Sequence, residues 1–214
     1  MNQTIDILIL GAGESGVGAA LLAKRNGMSC LVSEAGSGKA SFIQELEQAG
    51  IAYETEGHTK ALKCLPKVLV KSPGIPNEAD IVQAFALKGI PVWSEVEFAF
   101  RQMTKGKITG ITGTNGKTTT THLVYHIYKK AGLQVAMGGN VGTSFARILA
   151  TQEPKDHYVL ELSSFQLDNI QRMRINTALL LNISPDHLDR YEGSVERYAD
   201  AKFNIFKNQQ SDDI

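Results

Sequence analysis

Lys107-Ile108-Thr109-Gly110-Ile111-Thr112-Gly113-Thr114-Asn115-Gly116-Lys117-Thr118-Thr119-Thr120 reads as a short apolar strand that runs into a glycine-rich turn and then a helix. Glycines at 113 and 116 let backbone amides turn inward, and the amides opening the next helix point the same way, so the turn forms a nest for anions. Lys117 adds a mobile cation. Thr118 offers a hydroxyl where a phosphate-bound Mg²⁺ needs a ligand. The strict phosphate-loop pattern wants glycine where this chain has Ile111, so the loop is a variant. The bland alternative is a strand-to-helix turn that binds nothing; Gly-Lys-Thr at a helix start favours the nucleotide.

The 214 residues suit two domains of about a hundred each. Apolar residues make up 43% of the chain, enough for real cores. Lys plus Arg and Asp plus Glu number 22 each, so the formal net charge is zero and nucleic acid is not an expected partner. Met1 to Asp6 leads directly into a strand without the features of a secretion signal, and no apolar run approaches ~20 residues. These features predict a cytoplasmic chain that does not engage a membrane. Cys30 and Cys64 lack metal-ligand spacing and read as reduced thiols.

Upstream, Ile5 to Leu10 is an apolar strand broken only by Asp6, followed by Gly11-Ala12-Gly13-Glu14-Ser15-Gly16-Val17-Gly18 and a helix to about Asn26, ended by Gly27. A second strand, Ser29 to Ser33, places Glu34 at its carboxyl end. Alone, this βαβ unit says dinucleotide, although such glycines are often structural or serve another nucleotide. Glu34 is either an acceptor for a ribose or base hydroxyl or a solvated strand end.

Strands at Lys67 to Val70 and Ile90 to Trp93 flank a helical stretch, Glu78 to Leu87, and Ser72-Pro73-Gly74-Ile75-Pro76 forms a rigid turn. Glu95 to Met103 reads as a connecting helix, which places the domain boundary near residue 94. Beyond the glycine loop, a helix from Lys117 to Ala131 carries Leu123, Val124, Ile127 and Tyr128 on one face. Strands follow at Gln134 to Met137, Tyr158 to Leu162 and Asn176 to Ile183, the last reading as buried. Ser194 caps a final helix, Val195 to Phe206, in which Lys202 is by composition a solvated lysine. Lys117, Thr118, Asn140, Glu161, Ser164, Gln166 and His187 thus gather at strand carboxyl ends, and Thr118, a carboxylate and an imidazole make a candidate Mg²⁺ set.

Thr112-Gly113-Thr114-Asn115-Gly116-Lys117-Thr118-Thr119, Glu161-Leu162-Ser163-Ser164-Phe165-Gln166-Leu167 and Asp186-His187-Leu188-Asp189-Arg190 together resemble the Mur ligases, ATP-dependent amide-bond-forming enzymes. Within that family, the Ser-Ser-Phe-Gln continuation, the Gly11 to Gly16 opening and Ser72-Pro73-Gly74-Ile75 look most like the member that adds D-glutamate to UDP-N-acetylmuramoyl-L-alanine in peptidoglycan synthesis.

The resemblance implies an α/β fold: a Rossmann-like domain over 1–93 for the UDP-substrate, then over 94–214 the first part of a P-loop ATPase-type domain. The family's carboxyl-terminal domain is expected to be absent from the sequence, and the protein to be a monomer. By the same resemblance Gly113, Thr114, Asn115, Gly116, Lys117, Thr118 and Thr119 hold ATP. Thr118, Glu161, His187 and a carbamate on Lys202 hold Mg²⁺. Ser15, Glu34, Ser72, Pro73 and Gly74 line the uridine-diphosphate pocket, and Asn140, Ser163 and Gln166 contact the rest of the substrate. Lys117, His187 and Lys202 are the implied catalytic residues. Alternatives are another amino-acid ligase of the family, an NAD-dependent oxidoreductase, or a nucleotide-binding module without activity.

Overall fold

The computed structural model describes residues 3–214. In its first half, β1 (Gln3–Leu10), α1 (Glu14–Arg25), β2 (Cys30–Ser33), α2 (Ala40–Gln48), β3 (Ala52–Glu54), β4 (Cys64–Lys71), α3 (Asp80–Ala86) and β5 (Val92–Ser94) follow in order. The strands form one parallel sheet, ordered β3-β2-β1-β4-β5. β1 is central, which explains its nearly unbroken apolar run. Leu10 pairs with both Ser33 and Lys71, so Gly11, Glu34 and Ser72 emerge from neighbouring strands at one sheet edge. Gly16 is required in this βα turn, because a Cβ there would lie 1.8 Å from the Gly11 carbonyl oxygen.

α4 (Glu95–Gln102) leads to the second half: β6 (Lys107–Thr112), α5 (Lys117–Lys130), β7 (Val135–Gly139), α6 (Phe145–Thr151), β8 (His157–Glu161), α7 (Ser164–Leu167), β9 (Thr177–Leu180) and α8 (Val195–Phe203). This sheet is also parallel, ordered β7-β8-β6-β9. Both Ile111 and Gly139 pair with Glu161, which sets the glycine loop, Asn140 and Glu161 side by side. Among the described residues no helix is long and apolar enough to cross a membrane.

One core runs through both halves. Val17 and Ala20 of α1, Phe98 and Ala99 of α4, and Phe145 and Ile148 of α6 are all buried within it. Each of the two phenylalanines stabilises the fold by roughly 1.5–3 kcal/mol through burial. Arg147 of α6 then reaches across to Glu14 of α1, at 2.8 Å, and to Glu45 of α2. α4 is therefore less a connector than part of this core, with Glu95 and Glu97 fully buried. Glu97 accepts the amides of Gln171, Arg172 and Met173 as well as Arg101.

Several expectations need correcting. The inward face of α5 is set by Thr121, Val124, Tyr125 and Tyr128, whereas Leu123 and Ile127 are exposed, because Thr121 is the residue seated on the sheet. β9 is half-buried along its length, being an edge strand, and is shorter than the apolar run implies. α8 stops at Phe203 and continues as a 3₁₀ turn over Asn204–Phe206. α2, β3 and α6 have no counterpart in the sequence reading. α1, with Gly27 beyond it, and α5, closed by Gly132, lie where the sequence puts them, and Ser194 caps α8 by accepting the Arg197 amide.

Candidate functional site

The loop between β6 and α5 is braced from behind by the segment after β9. Thr114 accepts the Ser184 amide at 3.0 Å through its hydroxyl, and its own amide bonds the Asn182 carbonyl. The Asn182 side chain holds the Asn115 amide and carbonyl. Gly116 caps α5 at φ 84°, a left-handed conformation that an L side chain disfavours, and the first amides of α5 are thereby aimed out of the loop. Lys117 curls back, its ammonium donating to the Gly113 and Thr114 carbonyls at 2.8 and 2.7 Å.

In front of the loop, Glu161 at the end of β8 is buried, yet both oxygens are engaged. Thr118 donates to one at 2.7 Å and the Asn140 amide to the other at 3.2 Å. The loop, Asn140 and Glu161 border an open cavity of about 370 Å³. A second cavity of about 120 Å³ adjoins it, sharing Lys117 and Asn140 and adding Ser163, Phe165, His187, Tyr198 and Lys202.

Lys202 is not the solvated lysine that composition predicts. It is 2% exposed, donates to the Gly113 carbonyl at 2.9 Å and lies 4.5 Å from the Tyr198 ring centre. Burial, and secondarily the Lys117 charge, pull its pKa down to about 8, with Asp186 opposing. The misreading has a simple cause: the helix pattern shows that position 202 lies in α8 but not that the glycine loop covers it.

His187 stands in a left-handed conformation at φ 49°, its ring 5.5 Å from Phe165 and 60% exposed. It faces the small cavity with Lys202, while Thr118 and Glu161 face the larger one. Among the described residues no three His, Cys, Asp or Glu side chains cluster as a ready metal site.

In the first half, Glu34 is more than a solvated strand end, since its carboxylate accepts the Ala12 amide at 2.7 Å and the Gly36 amide at 3.1 Å. It therefore braces the first glycine loop. Ser72 lies against Gly11 and its buried hydroxyl has no partner among the described residues. Ser15 sits in the first turn of α1 at the same edge.

Residues 111–214 match the family model described as the Mur ligase middle domain. Over 203 residues the chain is 52% identical to the UDP-N-acetylmuramoylalanine–D-glutamate ligase of Cytophaga hutchinsonii, a match covering 94% of this chain and 45% of that protein. The chain belongs to the Mur ligase family.

The like-named ligase of Bacteroides thetaiotaomicron is 50% identical over 207 residues, covering 97% of this chain and 46% of that protein. This Mur ligase chain thus spans about half the length of the curated relatives it matches. Among solved structures, the UDP-N-acetylmuramate:L-alanyl-gamma-D-glutamyl-meso-diaminopimelate ligase of Neisseria meningitides superposes with a TM-score of 0.66 at 21% identity, covering 98% of this chain and 70% of that one. At that identity the likeness speaks for the fold alone.

In this Mur ligase fold Gln166 is fully buried. Its side-chain carbonyl accepts the Ser163 amide and hydroxyl in a capping box, and its amide nitrogen has no partner among the described residues. The capping box also fixes Ser163 in the lining of the small cavity. Sequence reasoning gave no role to Lys71, which is buried, donates to the Ile75 carbonyl at 2.8 Å and has its pKa drawn down to about 8 by desolvation. It also missed the place of Arg190 between the two halves. A lysine ending a central strand, just before Ser-Pro-Gly, was the signal available for the first.

Proposed function

We propose that this chain is the part of an ATP-dependent ligase that binds UDP-N-acetylmuramoyl-L-alanine and ATP, the intact cytoplasmic enzyme adding D-glutamate through an acyl phosphate. The observation that carries the reading is the Thr118–Glu161 pair directly in front of a helix-capping glycine loop, with two lysines converging on the loop carbonyls. Relatives about half identical to the chain over the aligned residues bear the name of that ligase.

In this reading residues 1–93 form the uridine-diphosphate domain, with Ser15, Glu34, Ser72, Pro73 and Gly74 around the ligand. Residues 94–214 form the beginning of the ATPase domain. The amides of Gly113 to Thr119 take the ATP phosphates, while Asn140, Ser163 and Gln166 direct the muramoyl-alanine carboxylate toward them. A carboxylate approaching an anionic phosphoryl group is repelled by about 4 kcal/mol per unit-charge pair at 4 Å and an effective dielectric of 20, so cations must stand between them. Lys117 answers that need by leaving the Gly113 and Thr114 carbonyls for the phosphoryl oxygens.

The donor set also fits Mg²⁺. Glu161 and Thr118 supply hard oxygens already paired with each other, and His187 and Lys202 stand across the shared wall of Lys117 and Asn140. When bound, the ion would neutralise charge that gathers on the phosphoryl oxygens. For Lys202 to serve, its neutral amine adds to CO₂: the N–C bond forms, one C=O pair moves onto oxygen, and the nitrogen gives up a proton. Burial favours the neutral amine that this step requires.

Calorimetry of the chain with UDP-N-acetylmuramoyl-L-alanine, NAD and Mg·ATP tests the assignment. Heat from the uridine ligand and from Mg·ATP is the expected result. Tight NAD binding without uridine binding overturns it in favour of an oxidoreductase.

A further inference from the structure

Arg190 stands where the two halves meet. Its guanidinium donates to the Gly74 carbonyl at 3.1 Å and to the Pro73 carbonyl at 3.4 Å, both in the turn after β4. The same guanidinium lies over the Phe165 ring, 4.5 Å from its centre. Phe165 in turn packs against His187 and stacks on Tyr191 at 6.0 Å. Arg190 and His187 share one 3₁₀ turn, joined by the Arg190 amide bonding to the His187 carbonyl.

The peptide unit gives this contact a direction. The Pro73 carbonyl accepts from Arg190, while the amide on the other end of that peptide, Gly74 N–H, has no hydrogen-bond partner among the described residues. Gly74 is exposed, and apart from its chain neighbours nothing lies within 4 Å of the position a Gly74 Cβ would take. A cation on the carbonyl polarises the peptide and strengthens its N–H as a donor to an anion. An anion bound at the N–H strengthens the carbonyl as an acceptor for the cation. Ligand binding at the turn thus tightens the hold of Arg190, and Arg190 holds the Phe165 and His187 wall of the cavity beside Lys117.

We infer that Arg190 is a positioning residue that couples the two ligand sites, so that the diphosphate end of the uridine substrate and Mg·ATP each bind more tightly when the other is present. The inference rests on the proposed ligand for the first half. Arg190 touches neither ligand; it acts through the Pro73–Gly74 peptide on one side and the Phe165 ring on the other.

The test is calorimetric, on the full-length protein, with a non-hydrolysable Mg·ATP analogue titrated with and without saturating UDP-N-acetylmuramoyl-L-alanine. The uridine substrate should tighten analogue binding by about fivefold or more. In Arg190→Met that factor should fall to near one, while analogue affinity measured alone stays within about twofold. A merely structural role would lower the melting temperature and leave the factor intact. Arg190→Lys keeps the charge but cannot span two carbonyls while also covering a ring, so it should lose most of the factor too. If Arg190→Met does not fold, Phe165→Leu carries the same expectation. Wild-type coupling in these variants, or its absence from the wild type, overturns the inference. Failure of the uridine substrate to bind at all is a different result, which removes the ligand assignment beneath it.

Discussion

Thr118 donates its hydroxyl to a carboxylate oxygen of Glu161 that is buried beneath the glycine loop, at 2.7 Å. That bond holds the carboxyl group next to a site otherwise surrounded by amide donors and lysines. Glu161→Gln preserves an acceptor for Thr118 but removes the charge. Binding of an ATP analogue should then become insensitive to Mg²⁺, and ligation by the full-length enzyme should fall by about a hundredfold. Titrations with and without EDTA read the first effect; an undiminished Mg²⁺ dependence would count against the assigned ligand.

Lys117→Ala removes the ammonium that rests on the Gly113 and Thr114 carbonyls. Loss of the cation proposed to meet the phosphoryl oxygens should slow ligation by on the order of a thousandfold. Binding of the uridine substrate should barely change, since the proposed contacts to its uridine-diphosphate end lie in the first half and none of its other proposed contacts is made by Lys117. Retained ATP-dependent ligation would refute the role given to the loop.

Glu95 provides a stability test remote from catalysis. Its carboxyl is wholly buried, accepts the Ala146 amide, and has a second oxygen without a partner among the described residues. Burial pushes its pKa up to about 8, against the Ala146 bond and helped by the nearby Glu14 charge. The folded state therefore holds a proton that the unfolded chain releases above the ordinary carboxyl range near 4.5. The stabilisation is complete at acid pH and is lost as pH rises toward 8, at no more than about 1.4 kcal/mol per pH unit. Glu95→Gln cannot ionise, so it should match the wild type near pH 5 and exceed it at pH 8.5 in urea unfolding. Parallel stability profiles for the two proteins would show that Glu95 keeps no such proton.

The two glycine loops were legible because each needs a local pattern, strand then glycines then helix, and backbone geometry follows from those residues alone. Glu161 and Asn140 were legible as strand ends, and parallel pairing then set them beside the loop. What escaped depends on which distant segment covers a residue. Lys202 is buried because the glycine loop lies over it, and Glu95 because α6 does. The face of α5 was misread for a related reason: a threonine, not the leucine or isoleucine, is seated on the sheet. Arg190 could be read as part of an Asp-His-Leu-Asp-Arg run, but its carbonyl partners are more than a hundred positions away in sequence.

Lys202 offers the sharpest chemical test. As a cation beside Lys117 it would repel a dication, whereas a carbamate reverses the sign and supplies oxygen ligands suited to Mg²⁺. Its place in the same small cavity as Lys117 and His187 gives the added group somewhere to point. Lys202→Ala should be nearly inactive and partly restored by short-chain carboxylates, which can occupy the vacated space. Lys202→Arg should resist rescue, because it keeps the wrong charge and fills the cavity. Enzyme prepared in ¹³C-bicarbonate should show a carbamate carbon resonance that is missing from both variants. Full activity in Lys202→Ala, or an enzyme indifferent to bicarbonate depletion with no such resonance, would leave Lys202 as a buried lysine whose work is to hold the Gly113 carbonyl.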